Sequence, residues 1–499
     1  MSSSSFAATP VFRLMTIAAL AVCIQGYHLG ADDAAIYVPG IKQAADPALY
    51  PFGAEFFHAH ARLTLLPELV GGSARLTHLP IDVVIFGWHL AGVLLLLFAA
   101  WQLLSACFEH DTARWSGVAL LAVLLSVPVA GTALAIADPY VTSRTLSTPA
   151  TLLAIAGFVS GKWKQAAAWF LFTALIHPQM SAYAAVFLLF LTVLRHRSEA
   201  RPRKAPAAGL VYLAGLPFLF GFQPAFGPAR EALLSRTYFF VSRWAWYEWA
   251  GVFAPLALLA WFSIGEFRST KPAFRALARA LVPFGLTFTL AGIVLTASPR
   301  LENYTRLQPM RSLHLVYIVF FLLAGGLAGE YVLGRNVWRW LGLFVPLGLA
   351  MCMLQRSAYP ASPHIEWPGA AAMNPWEAAF LWIRDNTPKD AVFALDPEYM
   401  LRPGEDMHGF RALAERSMLA DAVKDSGAVS LFPGLAEHWR AQVDILHGWR
   451  HFQQADIERV AQRYPVTWFV TELPGPAGST CPYRNRTLAV CQIRPKNRS

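Results

Sequence analysis

Residues 80–104 read PIDVVIFGWHLAGVLLLLFAAWQLL. One acidic residue, Asp82, stands at the mouth of the run, and His89 is the only other ionisable side chain in it. About 20 apolar residues in helical form cross a hydrocarbon core of roughly 30 Å. A helix at the edge of a soluble core would carry a polar face, and this one has none. The stretch is read as a transmembrane helix.

Working outward, further apolar segments lie at 11–27, 115–137, 148–161, 165–176, 179–194, 207–222, 249–264, 278–297, 313–329 and 337–354. Together they predict an all-α polytopic membrane protein with about eleven transmembrane helices over residues 1–354. The composition agrees. Of 499 residues, 56% are hydrophobic and 14% charged, where a soluble protein carries about 25% charged residues. The 17 Trp and 34 Phe suit membrane interfaces. Segment 11–27 carries Arg13 as a basic flank, as a signal peptide would. An uncleaved helix is the preferred reading, because Gly30-Ala31-Asp32-Asp33 follows at once.

The net charge is +10. With the N-terminus inside, the inner loops hold Lys162 and Lys164; Arg195, Arg197, Arg201, Arg203 and Lys204; Arg268, Lys271, Arg275 and Arg279; and Arg335 and Arg339. The long first outer loop, 29–79, has only Lys42, Arg62 and Arg75. This is the positive-inside pattern. It puts the N-terminus in the cytoplasm and the tail, residues 355–499, outside. Nucleic acid is excluded as a partner, because the basic residues gather on no single soluble face or tail. Two outer loops break the pattern: one holds Arg230, Arg236 and Arg243, the other Arg300, Arg306 and Arg311.

The tail is a different material and predicts a small α/β domain. Asn374-Pro375 opens a helix, with Asn as cap and Pro at the first helical position. A short strand is expected at 391–395, a helix at 456–464, a strand at 466–471 and another at 488–493. Cys481 and Cys491 either close a disulfide in an oxidising space or remain two thiols. Cys23, Cys107 and Cys352 lie in or beside apolar segments and read as packing residues. There is no CxxC pair and hence no zinc or redox motif.

Segments 148–161 and 165–176 are too short for a full span. Polar backbone at that depth is tolerated where it lines a cavity. The outer ends carry Asp138-Pro139-Tyr140 with Arg144, and His177-Pro178-Gln179. Asp32 and Asp33 sit at the outer exit of the first helix and open the long loop. Arg300, Arg306 and Arg311 are arginines where positive charge should be sparse; a guanidinium fork matches the phosphate of a lipid.

An acidic motif after the first helix, a long first outer loop, a second acidic residue in the next outer loop and an extracytoplasmic C-terminal domain together resemble the GT-C membrane glycosyltransferases. The matching stretches are Gly30–Tyr37, Asp138-Pro139-Tyr140 and Arg306–Arg311. The tail segments Trp382–Pro388 and Arg411–Asp421 resemble bacterial multi-pass proteins near that superfamily. The Trp-Trp-Asp signature of oligosaccharyltransferases is missing, which argues against transfer of a lipid-linked oligosaccharide to asparagine. The resemblance implies a GT-C-like fold in the bacterial inner membrane, with a periplasmic tail. It implies transfer of a sugar from a polyprenyl-phosphate carrier to a lipid, glycan or protein acceptor.

By the same resemblance, Asp32 or Asp33 is the general base, and Arg306 and Arg311 stabilise the departing phosphate. Asp138 orients the acceptor or holds a divalent cation. Tyr37, Tyr140, Arg144, His177 and Arg300 complete the substrate-binding set. A transporter or flippase is the first rival, although the sequence shows no inverted repeat. A non-catalytic assembly protein is the second.

Overall fold

The computed structural model describes residues 10–198 and 224–493. The expected segment 207–222, with Arg201, Arg203 and Lys204 before it, lies outside the described residues. Helix α1 (Pro10–Gln25) ends at Gly26, whose φ of +78° suits glycine. The long loop 29–79 is mostly helical. After the extended stretch Tyr27–Ala31, α2 (Ala34–Ala45), α3 (Glu55–Ala61) and α4 (Leu66–Thr77) pack together and bury Ile41, Phe57 and Val70.

The decisive run forms α5 (Ile81–Cys107), 27 residues long. The next expected span, 115–137, is corrected. Its helix, α6 (Asp111–Val123), stops early, and residues 124–142 continue as irregular chain with a Pro128↔Ala135 bridge. Pro128 and Gly131 interrupt any helix there. Then follow α7 (Ser143–Val159), α8 (Trp163–Ile176), α9 (Pro178–Ser198), α10 (Gly227–Leu234), α11 (Trp246–Ile264) and α12 (Pro272–Thr296). Two 3₁₀ turns, Pro299–Leu307 and Pro309–Ser312, lead into α13 (Leu313–Ala328), and α14 (Val337–Ala358) follows.

Among the described residues, five elements are long and apolar enough to cross a membrane: α5, α11, α12, the run Pro299–Leu333 and α14. The shorter α1 and α9 are also apolar. Helix α7 explains why some segments looked too short. All its residues from Ser143 to Phe158 except Thr145 are buried. A helix sheathed in protein need not match the bilayer's thickness. By contrast, α14 exposes Leu341, Val345, Leu349 and Met353, an apolar surface that lipid would cover. Cys107 is buried, Cys352 is half-buried and Cys23 is exposed, so the packing reading holds best for Cys107.

In the tail, Asn374 caps α15 (Pro375–Asn386) by accepting the Trp376 N–H at 2.8 Å. There follow β1 (Val392–Ala394), α16 (Phe410–Ala414), β2 (Ser417–Met418), α17 (Asp425–Leu431), α18 (Ala436–Ile445), α19 (Gln454–Arg463), β3 (Trp468–Glu472), β4 (Thr480–Arg484) and β5 (Leu488–Gln492). The sheet order is β2-β1-β3-β5-β4. The pairs of β1 are parallel and those of β5 antiparallel. A disulfide joins Cys481 in β4 to Cys491 in β5.

The tail shares a core with the loop 29–79. Phe380, Phe393, Phe410 and Leu413 form one apolar cluster with Val38, Ile41, Ile85 and Tyr140. Beside it, the buried Lys42 ammonium lies 2.8 Å from both Asp82 and Glu415, and Arg384 reaches Asp82 at 2.9 Å. One outer-loop lysine and the lone acid of the decisive run thus join loop, helix and tail. The other end of α5, roughly 40 Å along the helix axis, meets the basic loop: the Lys271 N–H donates to the Cys107 carbonyl at 2.8 Å. Lys162, Lys271, Arg275 and Arg279 gather there.

Candidate functional site

The chain leaving α1 is pinned from three sides. The His28 N–H donates to Pro139 O at 2.8 Å, the Glu366 N–H to Tyr27 O at 2.9 Å, and the Gly409 N–H to Gly30 O at 2.8 Å. Asp32, whose N–H donates to Met407 O at 2.8 Å, has a φ of +50°. That left-handed conformation is one Asp tolerates better than most residues, and the carboxylates of Asp32 and Asp33 meet residues 138–144.

That segment is organised by the start of α7. Thr142 and Thr145 form a capping box, which satisfies free N–H groups of the first turn. Arg144, the second residue of the helix, is thereby fixed. Its guanidinium lies 2.8 Å from Asp138 Oδ2 and 3.2 Å from Asp33 Oδ2. Thr142 Oγ1 donates to the same Asp138 oxygen at 2.9 Å, and the Tyr140 hydroxyl donates to Asp32 Oδ2 at 3.0 Å. Burial pushes the Asp138 carboxyl up, although Arg144 beside it pulls the other way.

The fourth contributor was not foreseen. Lys424 donates to Asp32 and, at 3.2 Å, to Asp33 Oδ1. It stands in a turn built by Asp421, whose side chain accepts the Val423 N–H at 2.8 Å. The following residue, Asp425, is held by Arg411 through bonds of 2.9–3.0 Å inside the tail. Burial opposes ionisation of Asp33, but Lys424, Arg144 and Arg311 outweigh it and hold the carboxylate far below its usual range. Lys424 responds in kind. Burial would discharge it, yet Asp32 and Asp33 raise its pKa above the ordinary lysine value.

Beside these groups lies a small cavity of about 50 Å³, open to water, lined by Asp33, Tyr37, His60, Arg144, Arg236, Gln308, Arg311 and Lys424. Three guanidinium groups and one ammonium therefore border a cavity with one lining carboxylate. Burial pushes the His60 imidazole down to about 4, with Asp33 opposing and Arg311 assisting, so it is neutral near pH 7. Arg311 sits 5.3 Å over the Tyr238 ring, and its buried Nε has no hydrogen-bond partner. Arg236 donates to Val423 O and Ser426 Oγ at the turn carrying Lys424. An anion entering here would meet preplaced donors.

Two narrower cavities continue from the same arginines. One, of about 20 Å³, runs from Arg144 and Asp138 past Val93, Leu96 and Pro149. The other, also of about 20 Å³, runs from Arg311 past Leu152, Met180 and Ile318. Both are mainly apolar.

Of the residues singled out in sequence, Asp32, Asp33, Asp138, Tyr37, Tyr140, Arg144 and Arg311 thus come together. His177 caps the end of α8, its N–H donating to Thr173 O at 2.7 Å, and does not line the cavity. Arg306 is buried at the end of the first 3₁₀ turn, and Arg300 is exposed at its start; neither lines the cavity. Lys424, Arg236 and His60 were missed, whereas Gln308 lies within the Arg306–Arg311 stretch singled out in sequence. Arg236 had a signal, being in an outer loop unexpectedly rich in arginine. Lys424 had none.

A second cluster of ionisable side chains lies beneath the Asp32 loop. Glu366, Glu377 and His408, all buried, offer ligand atoms within 4.8 Å of one another. Among the described residues this is the group that could hold a metal ion; the aspartates around Arg144 are already engaged by cations.

Comparison with known proteins adds the following. A family profile described as a domain of unknown function (DUF6798) matches residues 374–425. That segment carries Glu377, His408, Arg411 and Lys424. Comparison with curated proteins finds no match. Among solved structures, the chain is similar to the archaeal oligosaccharyltransferase AglB from Archaeoglobus fulgidus, solved in complex with an inhibitory peptide and a dolichol-phosphate. The identity is 13% and the TM-score 0.40, over 94% of this chain and 70% of that one. It is also similar to the arabinofuranosyltransferase AftD from Mycobacteria, at 14% identity and TM-score 0.47, over 92% of this chain and 34% of that one.

Proposed function

We propose that this protein is a GT-C-type glycosyltransferase of the bacterial inner membrane, which moves a sugar from a polyprenyl-phosphate carrier to a lipid, glycan or protein acceptor at the periplasmic face. The observation that carries the reading is the cavity where Arg144, Arg236, Arg311 and Lys424 converge beside Asp32 and Asp33. A phosphate head fits the four cations. On this reading the apolar segments within 1–354 form the membrane unit, the N-terminus is cytoplasmic and the tail, 355–499, is periplasmic.

The chemistry follows from the charges. The donor's anomeric carbon is attacked by an acceptor hydroxyl oxygen. The new C–O bond forms as the bond from that carbon to the carrier phosphate breaks. The hydroxyl proton passes to a carboxylate, and Asp32, the more exposed of the pair, is the base. The phosphate leaves with the bonding electrons and keeps its charge among Arg311, Arg236 and Lys424. In the absence of donor, Lys424 neutralises Asp32. Arrival of a phosphate draws the ammonium away and releases the base. Asp138 and Thr142 hold Arg144 in place.

The test uses the chain in lipid nanodiscs with polyprenyl-phosphate sugars and a panel of membrane lipid acceptors. The expected result is saturable donor binding competed by polyprenyl phosphate, with release of that phosphate. Asp32→Asn should bind donor and fail to transfer. Failure of the wild type to bind any polyprenyl-phosphate sugar would sink the proposal, as would full activity in Asp32→Asn.

A further inference from the structure

The geometry points to a buried divalent transition-metal site, made by Glu366, Glu377 and His408 of the tail, which ties these three tail segments together beside the chain carrying the Asp32–Asp33 pair. It lies apart from the cationic cavity and does not depend on the reading given above. The three ligand atoms lie within 4.8 Å of one another. For an ion bound at about 2.0–2.2 Å, tetrahedral ligand atoms sit about 3.3 Å apart. The observed Glu366 Oε1–His408 Nε2 separation of 2.9 Å needs only a small expansion to admit one.

The groups behind the ligands are those of a metal centre. His408 Nδ1 donates to the Glu405 carbonyl at 2.8 Å, which leaves Nε2 as the ring nitrogen facing the cluster, where it meets Glu366. Such a carbonyl partner fixes the tautomer and orientation of a ligating histidine. Glu366 is fixed in the same way. Its Oε2 accepts the Leu29 N–H at 3.0 Å, and His28 Nδ1 lies 2.8 Å from its Oε1.

The observation independent of this network is Glu377. It is buried, with 8% of its surface exposed, and its Oε2 has no hydrogen-bond partner. A carboxyl oxygen in that position lacks the partner that buried polar atoms require. An ion supplies it. One imidazole and two carboxylates, all buried, suit Zn²⁺ or Mn²⁺, whereas Mg²⁺ prefers all-oxygen shells that keep several waters. The consequence is positional. His28 and Leu29 hold Glu366 from the loop side, so an ion joining Glu366 to Glu377 and His408 would stiffen the tail surface on which the segment ending in Asp32 rests.

The experiment uses full-length, tag-free protein in nanodiscs. Metal content is measured by mass spectrometry before and after chelation, and thermal unfolding is followed on return of Zn²⁺, Mn²⁺ or Mg²⁺. The expected result is about one Zn²⁺ or Mn²⁺ per chain, a midpoint lowered by the chelator, and recovery with those ions but not with Mg²⁺. Glu377→Gln, close in shape, should lose the ion, while Asp33→Asn should keep it. Mn²⁺-loaded wild type should show histidine nitrogen coupling by electron paramagnetic resonance, a readout that does not depend on any variant folding. Metal-free protein whose melting ignores both chelator and ions would overturn the site and leave a proton shared between Glu366 and His408. Retention of the ion by Glu377→Gln with loss in Asp33→Asn would overturn it equally.

Discussion

Lys424 Nζ lies 3.2 Å from Asp33 Oδ1, although 391 residues separate them in the chain. The contact makes the tail a part of the candidate site. The ammonium is almost buried, its side chain 10% exposed, and it leans on two carboxylates that Arg144 and Tyr140 hold from the other side. A group so placed has two tasks that can be separated: it pairs with carboxylates at rest, and it meets an incoming anion.

Removing it should therefore change chemistry more than folding. Lys424→Met is expected to lower kcat for sugar transfer by about 10²–10³, the usual effect of losing one charge-stabilising donor. Donor KM should rise less, because Arg144, Arg236 and Arg311 remain. Lys424→Arg should recover much of the loss, since charge is kept and reach nearly so. Transfer assays with purified variants check this, and equal rates for Met and wild type would exclude the role.

Arg144 carries a structural burden. It bridges Asp138 and Asp33, and both it and Asp138 are 6% exposed. Arg144→Met leaves Asp138 buried with Thr142 as its remaining side-chain partner. Breaking a buried pair in this way costs about 3–5 kcal/mol. Asp138→Asn should cost less, since Arg144 keeps Asp33. Denaturant or thermal melts in detergent would rank the two, and the reverse order would contradict the arrangement.

The disulfide gives a prediction by counting. Five cysteines with one bridge leave three thiols: Cys23, Cys107 and Cys352. Unfolded, unreduced protein should take up three maleimides, and reduced protein five. The bridge closes a loop with a sequence separation of 10, so chain entropy assigns it about 3 kcal/mol. Cys481→Ser with Cys491→Ser should lower tail stability by up to that amount. Its presence in protein from intact cells would also favour a periplasmic tail.

What could be read in sequence depended on whether the signal was local. The helices α5, α12 and α14 announce themselves by length and apolarity. The start of α15 announces itself by Asn374 and Pro375. Helix α7 looked deficient because its length was judged against lipid, whereas its neighbours are protein. Strand β2, two residues long at Ser417–Met418, exists only because β1 lies beside it. The same division runs through the site. Asp32, Asp33, Asp138 and Arg144 stand near helix ends on one expected side, so sidedness alone grouped them. Lys424, His408 and Glu366 reach the loop from the tail, and no periodicity or spacing encodes which tail residue meets which loop residue. Arg306 was grouped with Arg311 by proximity in sequence, but the 3₁₀ turns between them part their directions.

The charge states around Lys424 set the pH range over which the tail stays docked. Asp33 is an acid whose pKa is lowered by folding. Its contribution is present above the unfolded carboxylate value, about 3.9, and is lost as pH falls through the lower folded value. Lys424 is a base whose pKa is raised by folding. Its contribution is complete below the unfolded value, about 10.4, and is lost as pH rises through the still higher folded value. Between about pH 5 and 9 both groups keep their charges in either state, so the pair contributes a constant amount. The difference in melting temperature between wild type and Lys424→Met should therefore be flat across that window and should shrink below about pH 4. Melts of the two proteins in one buffer series read this directly. A difference that falls steadily from pH 5 to 9 would mean that Lys424 titrates in that range, as it cannot while both aspartates hold it.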